Sequence, residues 1–249
     1  IEGKDTVEVT TNSAGVFQVD SIRRGGSGAY TFTISNYTGV RFKETTLTQT
    51  LASGANTPEF IGRPDPEVTW TSVSTGSWHT CGVTTAGEAY CWGSNLYGRL
   101  GDGTNTLRLT PVLGSGGHSW TSVSAGYGHT CGVTTAGEAY CWGYNQQGQI
   151  GDGTTTTGKD DYAVLVPTLV SGGYTWSSVD GGGWHTCGVT STDNGHCWGR
   201  NKYPRLGDGT VTTRRQPVAI SGAHAWASIT GGSENTCGLT SAGEVYCCC

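Results

Sequence analysis

The chain has 249 residues, 42 of them glycine and only 13% charged, with no methionine, nine tryptophans and ten cysteines. Its net charge of −5 is mild and no basic run occurs, which excludes the clustered Lys and Arg that phosphate binding demands, so no nucleic acid partner is expected. No apolar run reaches the roughly 18 residues of a membrane-spanning helix, and sparse charge with abundant Gly, Ser and Thr favours an all-β chain of many short strands.

In residues 1–52, Val7 and Val9 alternate with polar residues, as do Tyr30, Phe32 and Ile34, between turn-like clusters at Asn12–Gly15 and Gly25–Gly28. That pattern predicts antiparallel strands with one buried face. The string GSGAYTFTISNYTG resembles the C-terminal part of immunoglobulin-like modules of secreted bacterial proteins, so 1–52 is expected to be part of an immunoglobulin-like β-sandwich. Residues 53–67 carry Pro58, Pro64 and Pro66 and read as a linker. The chain opens at Ile1 without Met, so the lack of a visible leader does not argue for the cytoplasm.

From residue 68 to 249 the sequence repeats. HTCGVTTAGEAYCWG stands unchanged at His79–Gly93 and His129–Gly143, with looser copies at His185–Gly199 and Asn235–Cys249. Trp70, Trp120, Trp176 and Trp226 precede them at intervals of 50, 56 and 50 residues. A period of about 50 signals a repeat architecture. Within each copy two strands flank a short loop, Thr85-Ala86-Gly87 in the first, with Gly in the left-handed position favoured by three-residue hairpins. Asp193 takes that place in the third copy, a residue that tolerates such a backbone better than most. Counting outward pairs Val83 with Ala89 and Cys81 with Cys91. Directly opposed Cα atoms lie about 4.5–5.5 Å apart, a separation that a disulfide accepts. The expectation is four cross-strand bridges: Cys81–Cys91, Cys131–Cys141, Cys187–Cys197 and Cys237–Cys247. The rival reading is zinc held by His79, Cys81 and Cys91. It is weakened by the fourth copy, where Asn235 replaces the His while both cysteines stay. Four disulfides imply an oxidising compartment, extracellular or at the cell surface.

The full unit reads W-[TSA]-S-[VI], then [HN]-T-C-G-[VL]-T, a strand ending in C-W-G, N-x3-[RQ]-[LI]-G-D-G-T, and a closing proline at Pro111, Pro167 or Pro217. An insertion of six residues around Lys159–Tyr162 marks a surface loop. This pattern resembles the regulator of chromosome condensation repeat, in a cysteine-bearing form similar to the secreted bacterial branch. The resemblance implies a β-propeller with four-stranded blades, usually seven. Three units are complete (70–119, 120–175, 176–225), and the fourth runs to Cys249 within its second hairpin strand, so an incomplete propeller is expected. Cys248 and Cys249 stand where earlier copies have Trp-Gly, and read as a damaged or truncated end rather than a functional thiol pair.

His79, His129 and His185, with Asp102, Asp152 and Asp208 nearby, invite a catalytic reading. Yet a catalytic group is needed once, whereas a residue present in every unit serves the unit. No single-copy acid, base or nucleophile set stands out, so the chain is read as a non-enzyme without cofactor or metal. The GDGT segments lack the alternating oxygen ligands of a calcium loop and read as turns capped by the Asp side chain. The recurring tryptophans Trp70 and Trp92 and their copies read as core. What varies inside the constant frame is more informative. Before the His/Asn position stand Trp78, Tyr127 (followed by Gly128), Trp184 and Glu234. After W-G-x-N stand Tyr97, Gln147 and Tyr203. These positions are rich in residues favoured at binding hot spots. They are the candidate contacts for a protein partner, displayed on a disulfide-stapled scaffold. Two alternatives rest on the resemblance: an inhibitor of a secreted enzyme, like the β-lactamase inhibitory propellers of this family, or a guanine nucleotide exchange factor-like regulator.

Overall fold

A computed structural model of the chain describes residues 68–156 and 163–248 in full, and within residues 1–67 the backbone of five short strands. The chain divides into two units, Ile1–Val68 and Thr69–Cys249. In the first, Thr10–Thr11 (β1), Val16–Gln18 (β2) and Phe60–Ile61 (β5) form an antiparallel sheet in the order β1-β2-β5, and Gly28–Thr33 (β3) pairs with Thr46–Leu51 (β4). The expected immunoglobulin-like module over 1–52, the linker over 53–67 and the insertion around Lys159–Tyr162 lie outside the fully described residues.

The second unit is all β among its described residues. Three four-stranded antiparallel meanders follow one another: Trp70–Thr75, His79–Thr84, Ala89–Gly93 and Arg108–Leu113 (β6–β9); Trp120–Ala125, His129–Thr134, Ala139–Tyr144 and Ala163–Leu169 (β10–β13); and Trp176–Gly181, His185–Thr190, Gly195–Gly199 and Arg214–Ala219 (β14–β17). A three-stranded sheet completes the series: Trp226–Gly231, Thr236–Thr240 and Val245–Cys248 (β18–β20). The first strands pack in succession, β6 on β10, β10 on β14 and β14 on β18, so they line the inside of an arc of propeller blades. The fourth strands are the outer edges. That is where each unit places its proline, because an edge strand tolerates a missing N–H.

The hairpins have the predicted register. Val83 faces Ala89 and Cys81 faces Cys91, and the same pairs recur in the other sheets. Gly87 sits at φ +78° and Asp193 at φ +59°, the left-handed positions the loop requires. All four disulfides are present, with Cα–Cα distances of 4.0–4.1 Å. These are shorter than expected, as befits the closely spaced, non-hydrogen-bonded pairs of an antiparallel ladder. The zinc reading has no support: the cysteines bond each other, and His79 turns its Nε2 to Thr130 at 2.7 Å.

The core lies between blades. At the first junction Leu100, Trp120, Val123 and Trp142 pack on the Cys81–Cys91 hairpin. At the second, Ile150, Trp176, Val179 and Trp198 pack on Cys131–Cys141. Trp120, Trp176 and Trp226 are buried as expected, but Trp70 is 41% exposed. The reason is positional. Val123 and Val179 are covered by the preceding blade, whereas their counterpart Val73 is 64% exposed, since among the described residues no blade precedes β6.

Candidate interaction face

A meander puts its connections alternately at two ends. The loops between first and second strands, and those between third and fourth, therefore share one end of every blade. The former are tight turns: Gly76, Gly126, Gly182 and Gly232 each donate their N–H to the carbonyl three residues on, at 2.8–2.9 Å. Successive turns are also linked to each other. Ser77 N–H donates to Gly126 O (3.4 Å), Tyr127 N–H to Gly182 O (3.2 Å) and Gly183 N–H to Gly232 O (2.9 Å). This backbone chain places Trp78, Tyr127, Trp184 and Glu234 in a row.

The loops between third and fourth strands are held by a buried asparagine. Asn95 accepts from Leu100 N–H at 3.0 Å and donates to Asp102 and to the Thr104 carbonyl; Asn201 does the same with Leu206, Asp208 and Thr210. Asp102 and Asp208 cap the Thr104 and Thr210 N–H groups, as predicted, and also pair with Arg108 (2.7 Å) and Arg214 (2.8 Å). Burial works to raise the Asp102 carboxyl, but hydrogen bonds from Thr104, Arg108 and Asn95 outweigh it and hold it below the usual range. Asp208 is lowered in the same way. In the second unit Val164, not an arginine, faces Gly143, where Arg108 faces Gly93.

With both loop sets fixed, aromatic side chains from three blades converge. Tyr127 and Trp184 lie 5.1 Å apart between ring centroids, Tyr144 and Trp184 5.7 Å, and Tyr97 and Tyr144 4.8 Å. Arginines border the cluster: Arg200 stands over Trp184 at 5.8 Å and Arg99 over Tyr97 at 5.3 Å. Trp78 extends the row and is 62% exposed, and Tyr203 is 51% exposed beside Lys202 and Arg205. Glu234 is engaged differently, as the carboxylate partner of the fully buried Arg205. Gln147 is half-buried and donates its backbone N–H to Gln149 Oε1, apart from the ring cluster. Tyr144, Arg99 and Arg200 were missed in the sequence. For Tyr144 and Arg200 the signal was there: Ser94, Tyr144 and Arg200 vary at the position after C-W-G. Tyr144 also supplies a local reason for Gly128, since a Cβ there would lie 3.1 Å from the Tyr144 Cβ.

Beneath this face runs a ladder between blades. His79, His129 and His185 present Nε2 to Thr130, Thr186 and Thr236 at 2.7–2.9 Å. Thr130 and Thr186 donate their hydroxyls to the Arg99 and Gln149 carbonyls, so those two threonines accept from a protonated Nε2 and fix the tautomer. Burial, with the nearby Arg99 charge, pushes His79 to about 3 and His129 to about 4, and burial with Arg205 pushes His185 to about 3. Neutral, buried and hydrogen-bonded in three successive units, these groups join each blade to the next. Among the described residues no cluster of three His, Cys, Asp or Glu could hold a metal ion, and no helix is long and apolar enough to cross a membrane.

Two sequence models of the regulator of chromosome condensation (RCC1) repeat match the chain, one over 70–99 and 120–149, the other over 86–133 and 136–189. A 41-residue stretch is 46% identical to the human E3 ubiquitin-protein ligase HERC2, covering 16% of this chain and 1% of that protein. Among solved structures, human WBSCR16 superposes with a TM-score of 0.66 at 20% identity, over 75% of this chain and 49% of that one. Prp20p of Saccharomyces cerevisiae gives 0.61 at 21% identity, over 69% and 44%. The chain thus spans about half the length of these structures and about a hundredth of its curated relative. It carries repeats similar to those of RCC1 proteins, and the fold it shares with them is the β-propeller.

Proposed function

We propose that the propeller arc is a non-enzymatic protein-interaction module, secreted or displayed at the cell surface, whose contact face is the aromatic row. The observation that carries this reading is the convergence of Tyr97, Tyr127, Tyr144 and Trp184 from three blades, flanked by exposed Trp78 and Tyr203. Rigid aromatics offer large contact area at small cost in side-chain entropy, and the hydrogen-bonded turns beneath them hold the surface in place before binding. The four disulfides support an oxidising compartment. Similar propellers bind proteins: the Prp20p structure was reported together with its binding to Gsp1p and histones.

The test is affinity capture from the extracellular fraction of the source cells, with captured proteins quantified. Trp78→Ala combined with Trp184→Ala should remove a defined set of captured proteins while the melting temperature falls by no more than a few degrees. An exposed control, Leu109→Ala on the outer strand β9, should retain that set. If the double variant captures the same proteins as the unaltered chain, the row is not the contact face.

A further inference from the structure

The charges of the repeats are sorted by end. Every described Lys and Arg of the propeller belongs to a loop between the third and fourth strands of a blade, or to the first residues of the fourth strand that follows. That is the end of the aromatic row. The hairpin turns at the other end hold Glu88, Glu138, Asp193 and Glu244, and no described Lys or Arg. At the row end three cations are neutralised within the chain: Arg108 by Asp102, Arg214 by Asp208 and Arg205 by Glu234. Arg200 and Lys202 make no ion pair among the described residues. The Arg200 guanidinium rests over the Trp184 ring at 5.8 Å, and the Lys202 ammonium stands 5.8 Å from the Tyr203 ring. Arg99, buried beside Tyr97 with its Nε unpartnered, adds another cation without a carboxylate. This positive surplus stands on a chain whose net charge is −5.

We propose, on the reading that the row is the contact face, that the protein segment it receives is acidic and seats one carboxylate on the Arg200 guanidinium beside Trp184. A guanidinium lying on an indole keeps its planar fork oriented and its N–H groups free to meet a carboxylate in two parallel hydrogen bonds. Arg200 is half-buried, so water screens such a pair less than it would at an open surface. Glu234 is the internal precedent. It occupies the register position of Trp78 and Trp184, and its carboxylate pairs with a loop arginine of the preceding blade. A nucleic acid or other polyanion needs clustered cations. Here the unpaired cations are few and stand among rings that suit apolar side chains, which a peptide mixing acidic and apolar residues provides. The acidic turns repel the same segment, so the field of the molecule also selects the end that is approached.

The experiment immobilises the full 249-residue chain and pans it against a phage library of random short peptides. Enriched sequences should carry an excess of Asp and Glu over the unselected library, beside aromatic or aliphatic residues. A synthetic copy of the most enriched peptide should bind Arg200→Gln about tenfold more weakly, the loss of one charge-assisted contact. The melting temperature of that variant should be unchanged, since the guanidinium has no carboxylate partner in the free chain. Lys202→Gln should weaken binding less, as removal of a single exposed charge. Affinity should also fall as salt rises from about 0.05 M to about 0.5 M. Enrichment of neutral or basic peptides whose binding is lost in Trp184→Ala would overturn the acidic partner and leave the contact face standing. Acidic peptides that bind Trp184→Ala and Arg200→Gln as tightly as the original chain would overturn both. Heparin displacing the peptide at equal or lower concentration would make the occupant an anionic polysaccharide and overturn the proposal, as would a library that yields no enriched sequence.

Discussion

At the scale of single residues, the repeated histidines show why recurrence matters more than residue type. Each of His79, His129 and His185 is buried and bonded to a threonine of the next blade. All three stay neutral far below the ordinary histidine range, burial being the main cause. The sign of the pH dependence follows. In the unfolded chain they take up protons below about pH 6.5, while in the folded chain they do so only near pH 3–4. Stability is therefore level above about pH 7 and falls as pH drops from 6.5 towards 4, with each histidine adding up to about 1.4 kcal/mol per pH unit to the slope. Urea unfolding across that range should show the decline, and His129→Asn should reduce its slope, since Asn235 fills the same position in the fourth copy without a titrating ring. A slope unaltered by this substitution would mean that the histidine does not contribute.

At the scale of the hairpin, the sequence was legible down to register. Spacing of C-x9-C, a Gly in the loop and alternation of the flanking residues fix which atoms face each other, because all three are local. The same reasoning mistook Trp70 for a core residue, since burial of that ring depends on a neighbouring blade and not on its own strand. It also missed the Asp102–Arg108 and Asp208–Arg214 pairs, which join the start and end of one loop across irregular backbone. The bridges themselves differ in exposure. Cys131 and Cys141 are fully buried, whereas Cys247 is exposed. Mild reductant followed by alkylation and peptide mapping should open Cys237–Cys247 first and leave Cys131–Cys141 closed until the blade unfolds. Loss of the latter, by replacing both cysteines with Ser, should cost about 2–3 kcal/mol in denaturant unfolding, as expected for a loop of that length. Equal reactivity of both bridges would contradict the packing of β11 and β12 described above.

At the scale of the whole propeller, equivalent loops meet because copies of one unit stack with a constant geometry. The sequence placed Trp78, Tyr127 and Trp184 in one row by this argument alone. It could not find Tyr144, because that residue reaches the row from a different loop, and it did not anticipate that Glu234 neutralises the buried Arg205 instead of standing free. The opposite end of the blades is aromatic as well, with Tyr140 against His118 at 4.2 Å and Tyr174 against His196 at 4.4 Å, and provides a built-in comparison for any binding study. Hydroxyl-radical footprinting of the tyrosines and tryptophans, with and without the captured partner, tests the central claim most directly. The account predicts protection at Trp78, Tyr127, Trp184 and Tyr203, with Tyr140, Tyr174 and Tyr246 labelled as before. Protection at Tyr140, Tyr174 and Tyr246 with the loop row still labelled would place the partner at the wrong end and contradict it.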